Sequence, residues 1–254
     1  MSIALELEGG GRKLGRVCDR DYRNGVVCPL ILRESSEDLL TANVFGTLRH
    51  LRPGLWLVPL LRAAFPHHRI EPCLPEDSRV TLWKKVAPPP GRGAHEGMTE
   101  VDVYATAAEK VLLIESKFVS SVSTGTANDS QRDQLIRLLD VAYSAVVDGQ
   151  FFPLSPFVLL LGRWPKEPAI LTRYRSANNV RQALPHLEQR GDGGAIAEYL
   201  ANRIGYLSWA DLSKILDARL EHATAVEAPF LLEVAGYLRH KMGPSRVVTA
   251  TAAP

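Results

Sequence analysis

Four charged side chains occur in two neighbouring apolar runs of the sequence, with Glu100 and Asp102 in TEVDVYAT and Glu115 and Lys117 near the end of KVLLIESKF. Burying an unpaired charge in such a run is costly, so these residues need compensating partners. Carboxylates are oxygen ligands that Mg²⁺ prefers, and the ion can hold a phosphate oxygen and lower the pKa of an attacking water. A lysine beside them can orient that water or stabilise negative charge. These residue types predict hydrolysis of a phosphate ester with Mg²⁺ or Mn²⁺ as cofactor.

Two adjacent strands would position these side chains. Residues 99–106 and 110–118 have strand-like composition, and the connection through residues 107–109 has hairpin length. Alternate side chains of a strand share a face, so the two charged residues of each run project together. An acidic residue two positions before a lysine is expected about once by chance in this composition, so the strand context carries the prediction. A cross-strand salt bridge at a sheet edge is the alternative interpretation.

The other periodic segments indicate an α/β protein. A first helix is predicted after its N-cap Ser36, and a second short helix, interrupted by Pro59, follows it. The remaining predicted elements are strands at 79–86 and 156–162 and helices at about 130–147 (capped by Asp129), 177–190, 193–204, 210–222 and 227–241. This order predicts a mixed central sheet flanked by helices, with additional C-terminal helices.

Length and composition set the domain organisation. The 254 residues predict one compact domain over 31–242, with a helical C-terminal part from about 177, an N-terminal arm over 1–30 and a flexible tail over 243–254. A net charge of +2 is too weak to argue for nucleic-acid binding by itself, so any phosphate-binding surface must come from local clustering.

Cysteine usage and hydropathy predict the compartment. Cys18, Cys28 and Cys73 form no Cys-x-x-Cys pair and are odd in number, so neither a disulfide framework nor a zinc site is indicated. The N-terminal residues lack the basic start and apolar stretch of a signal peptide, and no run approaches the roughly 18 apolar residues of a membrane span. We expect a cytoplasmic protein without a membrane partner.

The segment GMTEVDVYATAAEKVLLIESKF resembles the core of the PD-(D/E)XK nuclease superfamily, whose fold is restriction-endonuclease-like. The resemblance covers about residues 33–162. It implies that Asp102 and Glu115 bind a divalent metal and that Lys117 positions the attacking water. It further implies that Glu37, from the first helix, adds a metal ligand and that Gln134 supports the site.

Two assignments within this resemblance stay open. Val101 stands where the family usually has a proline, so Glu100 is an alternative to Asp102 as the first acid. Gln131 is an alternative to Gln134, although Gln134 is preferred because Arg137 lies one helical turn further on and could share a phosphate.

The resemblance implies a metal-dependent nuclease acting on DNA in restriction, repair or defence, and cleavage of both strands of a duplex would favour a homodimer. The alternatives are a nuclease-fold protein that binds nucleic acid or a protein partner without cleavage, and an enzyme acting on a small phosphate ester. Arg173 and Arg175, with Tyr174 between them, could contact a nucleic-acid backbone and stack a base, or could lie on an ordinary surface. His67 and His68 lack a partner at ligand spacing and are expected to be solvated.

Overall fold

The computed structural model describes residues 37–70, 78–87, 97–107, 110–118, 120–121, 132–147 and 155–243. The expected arm, nearly all of the expected tail, and the candidate residues Ser36, Asp129 and Gln131 lie outside these ranges.

A five-stranded mixed sheet forms the centre of the described chain. The strands, which lie side by side in chain order, are β1 (Arg79–Val86), β2 (Thr99–Ala107), β3 (Lys110–Ser116), β4 (Ser155–Gly162) and β5 (Ile204–Ser208). The β1–β2 and β2–β3 pairs are antiparallel, whereas the β3–β4 and β4–β5 pairs are parallel. The expected class, an α/β protein with a mixed sheet flanked by helices, is confirmed.

Helices cover both faces of this sheet. They are α1 (Glu37–Leu48), α2 (Pro53–Ala64), α3 (Gln134–Val147), α4 (Ala169–Tyr174), α5 (Ala177–Ala183), α6 (Gly193–Ala201), α7 (Trp209–Asp217) and α8 (Ala228–Met242). α1, α2, α7 and α8 share one hydrophobic core with the sheet, and α3 to α6 share the other. No helix among the described residues is both long enough and apolar enough to cross a membrane.

The apolar composition of β3 follows from its central position in the sheet. Leu112 and Ile114 pack into the core on the α1 side, whereas Val111 and Leu113 pack into the core on the α3 side. A strand covered on both faces requires a continuous apolar run rather than an alternating one. Glu115 is therefore the first charged side chain after four buried positions, at the carboxyl end of the strand.

Along the β1–β2 pair, the core that a given face of the strands contacts changes at Asp102. Val103 packs with the core on the α1 side, yet Val101, two residues earlier, packs with the core on the α3 side. Trp83 lies opposite Asp102 between regularly paired positions and has φ 52°, a left-handed conformation that is uncommon for a bulky residue. Asp102 thus lies at the point where the two faces of both strands exchange cores. β2 therefore departs from the strict alternation of side chains between two faces that the sequence predicted.

Two sequence predictions of helix geometry were wrong. α2 continues through Pro59 without interruption, with Pro53 in its first turn. α3 begins at Gln134, four residues later than expected, and Asp133 caps it because its Oδ1 accepts a hydrogen bond of 2.9 Å from the Ile136 N–H.

The C-terminal third also differs from the expected run of helices. Residues 204–208 form β5, where the sequence predicted the end of a helix and a connection. Pairing with β4 and cover from both cores override the weak local signal of this five-residue segment. Residues 169–174 form the short helix α4, which the sequence did not predict.

Candidate functional site

The backbone at the carboxyl end of β3 is held from two sides. The Lys117 N–H donates to the Leu161 carbonyl at 2.8 Å, which extends pairing with β4 by one residue. The indole Nε1 of Trp209, the first residue of α7, donates to the Lys117 carbonyl at 3.0 Å. These contacts fix the direction in which the two charged side chains leave the strand.

Glu115 and Lys117 form a buried ion pair. The Lys117 Nζ lies 2.8 Å from Glu115 Oε1, and the two side chains are 8% and 5% exposed. Burial lowers the pKa of Lys117, but the charge and hydrogen bonding of Glu115, with help from Glu37 and Asp102, outweigh burial and raise this pKa above its ordinary value. Lys117 is therefore a permanent cation at neutral pH.

Glu37 connects the start of α1 to this ion pair. Its Oε1 accepts hydrogen bonds from the Ser120 N–H at 2.9 Å and the Ser120 hydroxyl at 2.5 Å. Its Oε2 lies 3.7 Å from Lys117 Nζ. Burial raises the pKa of Glu37, but the Ser120 hydrogen bonds and the Lys117 charge bring it below the ordinary value. Glu37 is therefore anionic at neutral pH and helps to hold Lys117.

Asp102 joins the site from β2. The regular β2–β3 pairing ends at Val103 and Ile114, and beyond it the Asp102 Oδ2 accepts a hydrogen bond of 2.9 Å from the Ser116 N–H. This contact ties Asp102 to the residue between Glu115 and Lys117. The structure therefore places both candidate metal ligands of the neighbouring strands at one point of the sheet.

All five predicted site residues line one cavity of about 280 Å³. Its lining consists of Glu37, Asp38, Met98, Thr99, Glu100, Asp102, Glu115, Lys117, Gln134, Arg137 and Leu138. Five of these side chains are carboxylates and two are cationic, so the lining is net negative. A phosphate ester would be repelled from such a lining unless a cation enters with it.

The first turn of α3 supplies part of the cavity wall. Gln134 begins the helix, and Arg137, one turn on, donates from Nη2 to the Met98 carbonyl at 2.9 Å. A hydrogen bond fixes this end of α3, because the Tyr174 hydroxyl donates to Asp133 Oδ2 at 2.6 Å. Nearby, Arg132 forms a buried ion pair with Asp140.

The donor set fits a hydrated divalent ion. Within the described ranges, no three acidic, histidine or cysteine side chains are grouped so that they alone could hold a metal. Mg²⁺ does not need such a cage, because it usually keeps several waters and takes one or two carboxylates plus substrate phosphate oxygens. Asp102 and Glu115 in a polar cavity meet that requirement. Glu37 as a third ligand stays a prediction.

The sequence missed several contributors to this site. Asp38 lines the cavity, and Ser120 and Trp209 hold Glu37 and the Lys117 carbonyl. Asp38 follows Glu37 directly, and helical spacing alone gave no reason to place both at one cavity. The contacts of Ser120 and Trp209 could not be predicted from the sequence, because they join residues 83 and 92 positions apart.

Tyr174 does not stack on a nucleic-acid base as the sequence suggested. Its side chain is fully buried in the core on the α3 side, and its hydroxyl is used by Asp133. Burial and the Asp133 carboxylate together raise the pKa of Tyr174. Its role is to support the end of α3 that carries Gln134.

Comparisons of the chain with family profiles, with curated proteins and with solved structures gave no match.

Proposed function

We propose that this protein is a divalent-metal-dependent nuclease of the PD-(D/E)XK type, which hydrolyses phosphodiester bonds in DNA. The observation that carries the proposal is the acid-rich cavity that Asp102 and Glu115, from adjacent strands, line together with the cationic Lys117. Glu37, on α1, lies 3.7 Å from Lys117 and lines the same cavity, which supports the proposal. The mixed sheet between two helical layers supports a restriction-endonuclease-like fold.

In this proposal, Asp102 and Glu115 would hold the metal ion, because both carboxylates line the cavity. When bound, the ion would neutralise the acids, polarise the phosphate and lower the pKa of a bound water. Lys117 would position the attacking water and stabilise negative charge developing on the phosphate, because its contacts with Glu115 and Glu37 hold the ammonium at the cavity. Glu37 keeps the Lys117 ammonium in place.

The first turn of α3 would orient the substrate. Gln134 and Arg137 line the same cavity, and their amide and guanidinium groups can donate hydrogen bonds to phosphate oxygens. Arg137 already donates to the Met98 carbonyl, which holds the guanidinium at the cavity wall. A preorganised donor loses little conformational entropy when it meets the substrate.

Incubation with single- and double-stranded DNA and RNA in Mg²⁺, Mn²⁺ or EDTA tests the proposal. We expect metal-dependent cleavage that Lys117→Ala lowers by at least about 100-fold, the range found when one transition-state donor is removed. The matched control is Lys166→Ala, which removes an exposed lysine outside the cavity. Binding of nucleic acid without cleavage under every metal condition contradicts the nuclease proposal.

One observation favours a binding protein as the second candidate function. The 2.8 Å contact between Lys117 and Glu115 lets these side chains neutralise each other, as in a structural ion pair. A non-cleaving nuclease-fold protein would bind the same nucleic acids equally well in EDTA. Adding nucleotides and a simple phosphodiester to the substrate panel separates both functions from an enzyme of small phosphate esters.

A further inference from the structure

A second and larger cavity, of about 700 Å³, lies away from the carboxylates. The end of α2 and its following turn form one wall, and the end of α6 and the start of β5 form the other. No described residue lines both cavities. Because β5 begins here while Lys117 follows the carboxyl end of β3, the second cavity lies toward the amino ends of the parallel strands.

Arg203 is the central charged residue of the second cavity. Its guanidinium lies 3.7 Å from the centre of the Tyr199 ring and 5.4 Å from that of Phe157. Its Nε is buried and makes no hydrogen bond, and among the residues described no carboxylate contacts the guanidinium. Burial lowers the pKa of Arg203, and only Tyr199 opposes this effect. The half-buried Arg203 guanidinium is thus held by aromatic rings, and its N–H groups can still donate hydrogen bonds to a ligand.

The described lining of the second cavity carries a small net positive charge. Arg175 and Arg203 line it together with His67 and His68, whereas Glu198 is its single carboxylate among the described residues. Arg175 is held by an ion pair of 2.6 Å with Glu167. The described surroundings are therefore opposite in charge to those of the first cavity.

Contacts within the protein fix the turn that carries Arg203. His68 Nε2 lies 2.7 Å from the Asn202 carbonyl, so this nitrogen carries a proton and donates. The His68 ring also packs edge-on against Phe157 at 5.3 Å. These contacts link the segment after α2 to the residue before Arg203, so the cavity walls are preorganised.

We propose that this second cavity binds a phosphate-bearing ligand of nucleotide size, with Arg203 as the main phosphate contact. The planar guanidinium matches two phosphate oxygens at once, and the cavity volume lies within the roughly 300–1,000 Å³ of small-molecule sites. Tyr199 and the histidines add aromatic surface beside that contact. The ligand is either a free nucleotide or a nucleotide unit of a nucleic-acid strand, which share this chemistry.

Calorimetric titration of the full chain in EDTA tests this inference apart from any metal-dependent activity. The probes are inorganic phosphate, a deoxynucleoside 5′-monophosphate and a short single-stranded oligodeoxynucleotide. We expect at least one probe to bind, and Arg203→Gln to weaken its binding by about tenfold or more. Tighter binding of the mononucleotide than of the oligonucleotide identifies a free nucleotide, and the reverse, with strong salt dependence, identifies a strand.

Matched variants control for charge and for folding. Arg181→Gln removes an exposed positive charge outside both cavities and should change binding less than about twofold. Glu198→Gln removes the carboxylate of the lining and should tighten binding, while His67→Ala should weaken it; both side chains are exposed, so both variants should fold even if Arg203→Gln does not. No binding of any probe, or equal effects of the Arg203 and Arg181 changes, overturns the inference. Loss of DNA cleavage by Lys117→Ala with unchanged probe binding leaves it intact.

Discussion

At the residue scale, the central feature is a buried lysine among acids. Lys117 contacts Glu115 and approaches Glu37, while Asp102 helps to raise its pKa. These charges are buried because they continue the apolar run of β3, and their mutual pairing offsets the free-energy cost of removing them from water. One cation serves several anions, so removal of the lysine affects both stability and chemistry.

A double variant separates these two effects of Lys117. Lys117→Met removes the cation that lies 2.8 Å from the buried Glu115 carboxylate, so we expect a loss of about 3–5 kcal/mol in the free energy of unfolding. Glu115→Gln combined with Lys117→Met removes both charges and should recover most of that stability without recovering cleavage. Urea unfolding and a cleavage assay on the three proteins check this. Recovery of cleavage in the double variant would show that neither charge takes part in the chemistry.

The choice between Asp102 and Glu100 as metal ligand can be decided by paired amide substitutions. Asp102→Asn keeps an oxygen that can accept from the Ser116 N–H, so the fold should be preserved while metal binding weakens. We expect the Mn²⁺ concentration for half-maximal cleavage to rise at least about tenfold for Asp102→Asn, since loss of even an outer-shell partner of a metal ligand costs about that much, and less for Glu100→Gln. The opposite ranking assigns the ligand role to Glu100.

At the element scale, the sequence predicted four of the five strands because their patterns are long. β1 was predicted with its observed ends, and β2, β3 and β4 within about two residues. β5 was not predicted because it is short and contains Gly205. Its formation as a strand depends on pairing partners far away along the chain. The same reason explains the unpredicted helix α4, which has six residues.

Gly205 provides a test of this tertiary origin of β5. A Cβ at this position would lie 2.6 Å from the Phe65 ring and 2.7 Å from the Ala64 carbonyl oxygen. We expect Gly205→Ala to lower the free energy of unfolding by roughly 1–3 kcal/mol through overpacking. Gly194→Ala on α6 has open space around the added Cβ and serves as the control. Equal stability of the two variants in urea unfolding would contradict the close approach of α2 to β5.

The packing of α2 with α8 should depend on pH through one carboxylate. Arg52, before α2, contacts both oxygens of Glu227 at 2.8 and 2.7 Å, and Thr224 donates to the same carboxylate. The Arg52 guanidinium lowers the pKa of Glu227 from 4.5 to about 2. Because the pKa is depressed in the folded state, this stabilisation is complete above pH 4.5 and lost as pH falls toward 2.

The measurement is urea unfolding of the native chain and Glu227→Gln at pH 7, 5, 4 and 3. We expect the native chain to be more stable at pH 7 and the stability difference to shrink steadily below about pH 4.5. The matched change Glu221→Gln removes an exposed carboxylate close by and should not alter the pH profile in this way. A constant difference across the range would mean that the Arg52 contact does not perturb this carboxylate.

At the scale of the whole molecule, the chain combines two cavities with linings of opposite charge. The net charge of +2 gave no sign of either one. The first could be predicted because its central residues lie on two consecutive strands, so their spacing already places them together. The second could not, because its walls come from segments more than 100 residues apart, around His68 and Arg203, which meet only when β5 enters the sheet.

The acid-rich cavity should make the stability of the whole molecule depend on divalent metal. An ion that binds only the folded chain stabilises it by about 2.7 kcal/mol at a concentration of 100 times its Kd. For a domain of this size, that corresponds to a rise of roughly 5–10 °C in Tm.

Thermal unfolding of the native chain with increasing Mn²⁺ measures this effect. We expect a concentration-dependent rise in Tm, because the ion relieves repulsion among the carboxylates that line the cavity. Asp102→Asn should reduce the rise markedly. Glu188→Gln, which removes an exposed carboxylate outside both cavities, should retain it. An equal rise in all three proteins would place the responsible metal site elsewhere, and no rise in the native chain would remove the metal from the proposed function.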